Sequence, residues 1–206
     1  MKKKFFFGRT QSRKISKFKQ TNFKKFIAGN NIDKLNLRKN LLLEIGIGMG
    51  ENLIYLSKKY KKKTIVGVDP FKNGMFNVSD YCMKNKIKNI YLYPHVIEKF
   101  FRRFKKLRFS DVYILFPDPW PKKRHSKRRI INENFIKKIL SIMKSRGKVF
   151  FSTDNNDYFS DVKTLLKRID GVKVKKINKI ITIKTKYFRK AENKGNKINS
   201  LIISKS

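Results

Sequence analysis

A carboxylate held between two prolines is the part of this sequence best suited to chemistry. Asp118 lies in the run Phe-Pro-Asp-Pro-Trp-Pro at 116–121, close to Trp120, the only tryptophan of the chain. Prolines fix φ and restrict the residue before them, so they limit where this acid can point. Six of the nine residues at 121–129, beginning with Lys122, are Lys or Arg. An oriented acid, a ring that can stack on a base and a cationic run predict a site for a nucleobase within a polyanion.

A glycine-rich turn follows Glu44, with Gly46 and Gly48 in the pattern E-I-G-I-G-M-G. Glycines let the backbone approach a ligand closely, and the next helix offers N–H groups to it. Asp69 ends the next predicted strand, where ribose hydroxyls lie in doubly wound sheets. The third glycine of the dinucleotide motif is replaced by Glu51, an acid that would repel a pyrophosphate. With Glu44, this favours S-adenosylmethionine, which is cationic, over NAD; a plain strand-to-helix turn is the remaining alternative.

Alternating strands and helices must position these residues. Continuous apolar runs predict strands at 41–46, 64–69, 89–93, 111–116, 148–153, 172–183 and 198–203. Helical spacing predicts helices at 51–60, 75–85, 96–104, 134–143 and 157–169, with a turn at 145–147 closing the fourth. This order predicts an α/β fold with a mostly parallel, doubly wound sheet and helices on both faces. Such sheets bind ligands beyond the carboxyl ends of their strands, where the glycine turn and Asp118 are expected.

The net charge of +39 over 206 residues points to a polyphosphate partner. Lysine-rich drift in an AT-rich genome is the alternative for much of this excess, although it does not explain the Arg and Lys cluster after Trp120. Cys82 is the only cysteine and the histidines are two, His95 and His125, so we expect no disulfide and no metal site. The apolar run near the N-terminus is too short to span a membrane. We therefore expect a cytoplasmic protein with a basic arm at 1–35 and one domain at 36–206.

The run Phe-Pro-Asp-Pro-Trp-Pro-Lys-Lys-Arg-His-Ser-Lys-Arg-Arg at 116–129 resembles the signature of the bacterial tRNA (guanine-N7)-methyltransferases. Further segments fall in the same order: residues 8–13, the glycine turn at 44–50, Asp69 with Gly74, 152–154, and 185–191 followed by Gly195. The resemblance covers most of the chain and implies a Rossmann-like class I methyltransferase that uses S-adenosylmethionine and acts on tRNA. It leaves a monomer or a homodimer open.

The resemblance also implies roles for individual positions. Cofactor binding falls to Glu44, Gly46, Gly48, Asp69, His95 and Asp118. Asp118 is in addition the expected catalytic acid. Substrate binding falls to Lys122, Asp154, Thr185, Lys186, Tyr187 and Phe188.

Three positions depart from the family pattern. Phe188 stands where the family usually has an acid, so a guanine contact is either lost or moved to Glu192. The 94–95 segment, with His95, replaces an acid or amide that would contact adenine. A proline expected near Glu133 is missing, which affects only the start of a helix.

Guanine N7 carries a lone pair and no proton, so its methylation needs alignment and stabilisation of positive charge rather than a base. We expect Asp118 and Asp154 to supply the acids, and Lys122 with the cations at 124–129 to hold phosphates. A methyltransferase acting on another nitrogen, a non-catalytic RNA-binding protein and an NAD oxidoreductase are the competing hypotheses. The long basic run disfavours the first, and Glu44 with Asp69 disfavours the second.

Overall fold

The computed structural model of the protein describes residues 8, 10–11, 14–35, 40–178, 180 and 183–206. Two compact units divide the chain, residues 1–107 and residues 108–206, and they are described in turn. The predicted division into an arm ending at residue 35 and a domain beginning at 36 stays a prediction.

The described part of the first unit contains the strands Leu41–Ile45 (β1), Thr64–Val68 (β2) and Ile90–Tyr93 (β3). Its helices are Lys17–Gly29 (α1), Glu51–Lys59 (α2), Lys72–Lys84 (α3) and Ile97–Arg103 (α4), with a 3₁₀ helix at Ile32–Lys34. β1 and β2 are buried along their whole length. Continuous apolar runs of this kind suit parallel strands that are covered on both faces, and β1 pairs with β2, and β2 with β3, in parallel.

Part of the predicted basic arm forms α1. The helix begins after Ser16, whose hydroxyl accepts a hydrogen bond from the Lys19 N–H at 3.4 Å. Its apolar side packs on α3, where the Phe23 ring meets the Phe76 ring edge-on at 4.7 Å, and Phe26 is buried. Residues 17–29 of the predicted arm therefore form a helix that packs against the rest of the first unit. Residues 1–7, 9 and 12–13 of the arm lie outside the described residues.

The described part of the second unit contains the strands Phe109–Leu115 (β4), Met143–Thr153 (β5), Val172–Ile177 (β6) and Asn199–Lys205 (β7). Its helices are Glu133–Ile142 (α5), Asn156–Leu166 (α6) and Lys186–Asn193 (α7), with a 3₁₀ helix at Lys123–Arg128. β4 pairs with β5 in parallel, whereas β7 runs antiparallel to both β5 and β6. Among the described residues, the strand order is β3-β2-β1 in the first unit and β4-β5-β7-β6 in the second, and the mostly parallel pairing confirms the predicted Rossmann-like class.

Two predicted boundaries in the second unit are wrong. α5 ends at Ile142 and β5 begins at once, so the turn expected at 145–147 is instead an irregularity inside the strand. There Met143 pairs with Phe109, and the next regular pair joins Lys148 to Asp111. Gly147 permits this crowded path, because an added Cβ would lie only 3.0 Å from the Lys144 carbonyl oxygen.

The strand predicted at 172–183 ends at Ile177, and residues 179 and 181–182 lie outside the described residues. The substrate-binding segment that begins at Thr185 forms α7, a helix that the sequence reading did not predict. Thr185 caps this helix by accepting a hydrogen bond from the Phe188 N–H at 3.2 Å. Local capping therefore decides the structure where the apolar pattern is weak.

Gly74 on α3 should not tolerate a side chain, because an added Cβ would lie 1.7 Å from the Gly48 carbonyl oxygen. We expect Gly74→Ala to lower the free energy of unfolding by about 1–3 kcal/mol, since backbone must move. Urea denaturation measures this change. The control is Gly29→Ala, where nothing lies within 4 Å of the added Cβ and the helix should gain up to about 1 kcal/mol. Equal destabilisation by both variants would contradict the close packing of α3 on the glycine turn.

Candidate active site

The glycine turn after β1 is built from left-handed residues. Gly46, Gly48 and Gly50 have φ values of 78°, 55° and 85°, which residues with a Cβ rarely adopt. Gly46 is exposed, and nothing lies within 4 Å of the position that a Cβ would take. The turn therefore offers open backbone at the start of α2, as the sequence predicts for a ligand-binding loop.

Asp69 holds the glycine turn in place. The residue is 7% exposed, and its carboxylate accepts hydrogen bonds from the Gly48 N–H at 3.0 Å and the Phe71 N–H at 2.8 Å. Each bond uses a different oxygen, and a carboxylate oxygen has lone pairs for more than one donor. Asp69 can therefore order the turn and still accept a bond from a ligand hydroxyl.

Glu44 is a buried acid that lacks full compensation. It is 3% exposed, and within the described structure its Oε2 and both polar side-chain atoms of Asn52 have no hydrogen-bond partner. Burial raises the pKa of Glu44 to about 8; nearby Asn52 lowers the pKa in part and Asp69 raises it. Asn52 is thus near enough to affect the carboxyl without the geometry of a full hydrogen bond. Orphaned buried polar groups of this kind fit a ligand that brings positive charge and N–H donors.

His95 follows β3 and is exposed. Its ring contacts the Tyr93 ring edge-on at 4.9 Å, and the Asp69 N–H donates to the Tyr93 carbonyl at 3.3 Å. Partial desolvation lowers the pKa of His95, and the charges of Lys99 and Arg103 lower it further. The first unit thus brings Glu44, Asp69 and the glycine turn together. His95, an imidazole with a lowered pKa, follows the next strand, β3.

The acid-bearing loop in the second unit begins and ends with strained residues. Phe116 and Trp120 have φ values of 49° and 46°, in the region that favours glycine. Between them, Asp118 is exposed, yet desolvation by the surrounding protein raises its pKa above the usual range of an aspartate. The Phe116 N–H donates to the Ser152 carbonyl at 2.8 Å, so the loop leaves the sheet directly beside β5.

The cationic run after Trp120 divides into three kinds of residue. Four of its cations are exposed: Lys122, Lys123, Arg124 and Lys127. Arg128 lies over the Trp120 ring, with its guanidinium carbon 5.0 Å from the ring centre. Arg129 is buried at 9% exposure and turns inward, contrary to its expected place among the phosphate-holding cations. Sequence reasoning missed this difference, because two of the side chains that surround Arg129, Tyr158 and Asp161, come from later in the chain.

His125 sits within this run, and its ring meets the Trp120 ring edge-on at 6.0 Å. Desolvation lowers its pKa first, and the nearby cations, among them Arg128 and Arg124, lower it further. Both effects favour the uncharged form of this imidazole.

The remaining predicted substrate-binding residues follow β5 and form α7. Asp154 is half-buried and accepts a hydrogen bond from the Asn196 side chain at 3.1 Å. Lys186 and Tyr187 are exposed, the latter at 52%. Thr185, 9% exposed, places its hydroxyl at the helix cap, so its first role is to start α7.

A cavity of about 240 Å³ lies within the second unit. Its lining residues come from the ends of β4, β5 and β7, from the segment after β6, and from α7: Leu115, Phe116, Ser152, Asn178, Ile180, Phe188, Glu192, Ile198 and Ser200. The Phe116 and Phe188 rings meet edge-on at 6.2 Å. Glu192 lies one helical turn after Phe188 and pairs with Lys184 at 2.9 Å. The cavity therefore combines aromatic walls with the carboxylate of Glu192 and the nearby ammonium of Lys184.

Comparison with known proteins places these features in context. The sequence matches the family model described as "Putative methyltransferase" over residues 38–201. It is 32% identical over 166 residues to a tRNA (guanine-N(7)-)-methyltransferase of Macrococcus caseolyticus, covering 77% of this chain and 79% of the relative. A protein of the same name from Neorickettsia sennetsu is 30% identical over 157 residues, covering 76% and 71%.

A solved structure supports the fold. A "putative methyltransferase" from Streptococcus mutans, in complex with SAH, has a TM-score of 0.56 and 14% identity, covering 94% of this chain and all of that one, 100%. Within the residues that the structure describes, no group of His, Cys, Asp and Glu side chains is arranged to hold a metal ion. In the same part of the chain, no helix is both long and apolar enough to cross a membrane.

The pKa of Glu44 has a consequence for stability. Between about pH 4.5 and 8, the folded protein keeps a proton on Glu44 that the unfolded chain releases, so the free energy of unfolding should fall as pH rises. The slope contributed by this one group is at most about 1.4 kcal/mol per pH unit. Urea denaturation across this pH window should show that Glu44→Gln removes it. Glu51→Gln, at the first residue of α2, is the control and should keep it; parallel curves for wild type and Glu44→Gln would contradict the assignment.

Proposed function

This chain belongs to the tRNA (guanine-N7-)-methyltransferase family, and from that premise we propose that it methylates N7 of the variable-loop guanosine, position 46 of tRNA. The methyl donor is S-adenosylmethionine. The single observation that carries this proposal is the loop after β4, where the exposed acid Asp118 is followed within nine residues by four exposed cations. An acid beside a cationic surface suits a reaction on a base that is held within a phosphate backbone.

Residues of the first unit fit the cofactor by their chemistry. S-adenosylmethionine supplies, when bound, an electrophilic methyl group on a sulfonium. Glu44 and Asn52 would accept and orient its ammonium, since both have buried polar atoms that need a partner. Gly46 and Gly48, which have no side chains, would let the cofactor approach the main chain closely. Asp69 would accept a hydrogen bond from a ribose hydroxyl, and His95 would lie against the adenine.

The reaction requires that guanine N7 be aligned with the methyl group and that the positive charge on the guanine be stabilised. Guanine N7 already has the attacking lone pair, so Asp118 need not remove a proton. Its ionised carboxylate would instead stabilise the positive charge that develops on the guanine ring, a form of catalysis that often supplies the largest single contribution. Asp154, after the neighbouring parallel strand β5, is the second acid of this proposal. A direct contact between Asp118 and the cofactor stays a prediction.

The cavity in the second unit suits recognition of guanine. Guanine presents an acceptor at O6 and donors at N1 and N2, whereas adenine presents a donor at its 6-position. Glu192 can accept from N1–H and N2–H, and Lys184 beside it can donate to O6. Glu192 thereby replaces the acid that the family usually has at the position of Phe188, because residues four apart lie on one helix face. Phe188 and Phe116 then serve as walls of the cavity.

Phosphate binding falls to the exposed cations Lys122, Lys123, Arg124 and Lys127. Each contact with a phosphate releases a counterion, so tRNA affinity should depend strongly on salt. We place the protein in the cytoplasm, where its tRNA substrate is made, and leave the choice between a monomer and a homodimer as a prediction.

Purified protein with labelled S-adenosylmethionine and unmodified tRNA tests the activity. We expect N7-methylguanosine at position 46 and no label when that guanosine is replaced by adenosine. Asp118→Ala should lower the rate on the order of 100-fold, whereas the control Asp157→Ala, an exposed acid on α6, should not. Absence of label with wild-type protein would sink the function, and wild-type activity of Asp118→Ala would sink the role of the acid.

Glu192→Gln tests the guanine cavity. Replacing a charged acceptor should cost about 1.5–3 kcal/mol of transition-state binding, or roughly 10- to 150-fold in kcat/KM for tRNA. Glu133→Gln is the matched control, because Glu133 is also an exposed acid paired with a lysine, Lys137, at 2.6 Å. Equal kcat/KM values for the two variants would show that Glu192 does not read the base.

A further inference from the structure

We propose that Arg129 is a positioning residue that fixes the Asp118 loop and does not bind tRNA phosphate. The proposal rests on the proposed function, since it assigns a role within that reaction. Arg129 is the last residue of the cationic run, but its side chain is only 8% exposed. Its Nε donates at 2.7 Å to the carbonyl of Pro119, the residue directly after Asp118.

The loop needs such an external support. Pro117, Pro119 and Pro121 have no N–H, so the loop cannot hold itself with backbone hydrogen bonds from these positions. Phe116 and Trp120 both have positive φ, a conformation that costs on the order of 1–2 kcal/mol per residue. Strained residues persist only where the surrounding structure holds them. The guanidinium of Arg129 supplies a charge-assisted bond at the centre of this segment.

Arg129 is itself held from two further sides. Its NH1 group pairs with the Asp161 carboxylate on α6, and its guanidinium carbon lies 4.8 Å from the centre of the Tyr158 ring. Tyr158 is fully buried, accepts a hydrogen bond from the Ile131 N–H at 3.2 Å and packs against Phe151 of β5. Arg129 therefore ties the loop to α6 and to the core of the second unit.

The neighbouring arginines are more accessible than Arg129, and phosphate binding requires an accessible side chain. Arg124 is exposed, and the half-buried Arg128 lies over the Trp120 ring. Arg129 already commits Nε to Pro119 and NH1 to Asp161, and it is buried. Binding a phosphate through Arg129 would require breaking these bonds and exposing the Tyr158 ring.

Loss of the Arg129 bond should let the Asp118 carboxylate move without changing the RNA-binding surface. A displacement of about 1 Å can lower a catalytic rate by as much as 100-fold. We therefore expect Arg129→Met to lower kcat by about 10- to 100-fold while KM for tRNA and the salt dependence of tRNA binding stay the same. Arg124→Met, the matched control in the same run, should raise KM and reduce the salt slope by about one unit with little change in kcat.

Trp120 gives a readout that does not depend on activity. It is the only tryptophan and ends the loop that Arg129 supports, so its fluorescence reports the loop directly. Arg129→Met should shift the emission to longer wavelength as the ring becomes more exposed, and Arg124→Met should leave it unchanged. If wild-type protein does not methylate tRNA, the proposed function fails, and the emission still decides whether Arg129 holds the loop.

Unchanged emission and kcat in Arg129→Met, with a raised KM and a smaller salt slope, would overturn the proposal and make Arg129 a phosphate contact. If Arg129→Met does not fold, Asp161→Asn decides, because Asp161 is 61% exposed and its replacement should be tolerated. That variant should show the same pattern, with kcat reduced several-fold and emission shifted to longer wavelength. Wild-type kcat and emission in folded Asp161→Asn would also overturn the proposal.

Discussion

A buried guanidinium reaches the carbonyl of Pro119, and the shape of the acid-bearing loop depends on that bond. Prolines take away the N–H groups with which a loop of this length would normally hold itself, and Phe116 and Trp120 add backbone strain at its ends. In return, the loop has few conformations, so Asp118 is presented in a narrow range of directions. Electrostatic stabilisation of a cationic transition state rewards this kind of preorganisation, because the acid does not have to reorganise during the reaction.

In the first unit, too, one residue supports a loop while another is available to the ligand. Asp69 uses both carboxylate oxygens to hold backbone N–H groups of the turns that follow β1 and β2. Glu44, one strand away, keeps an oxygen without a partner and a raised pKa. One acid therefore builds the glycine turn, and the other remains available for a cationic ligand. Burial makes the ionised form of Glu44 unfavourable in the free protein, and a bound positive group would stabilise that form.

Much of the fold could be predicted, because continuous apolar runs in β1, β2 and β4 have few alternatives to parallel strands. The glycine turn and Asp69 were equally accessible, since their spacing alone indicates a strand-to-helix ligand loop. The start of β5 was not, because Gly147 allows an irregular path inside the strand where a glycine ordinarily suggests a turn. α7 was missed because Thr185 starts it by capping and few apolar residues follow. Arg129 could not be separated from its cationic neighbours, since Tyr158 and Asp161 become its partners only when the chain folds.

The central claim is that Arg129 acts on the reaction through Asp118. The most direct measurement is the single-turnover methylation rate of wild type, Arg129→Met, Asp118→Asn and the double variant. If Arg129 works by placing this carboxylate, Arg129→Met should slow the wild type by about 10- to 100-fold and have little further effect in the Asp118→Asn background. Equal losses in both backgrounds would show that the two residues act independently and would contradict the account.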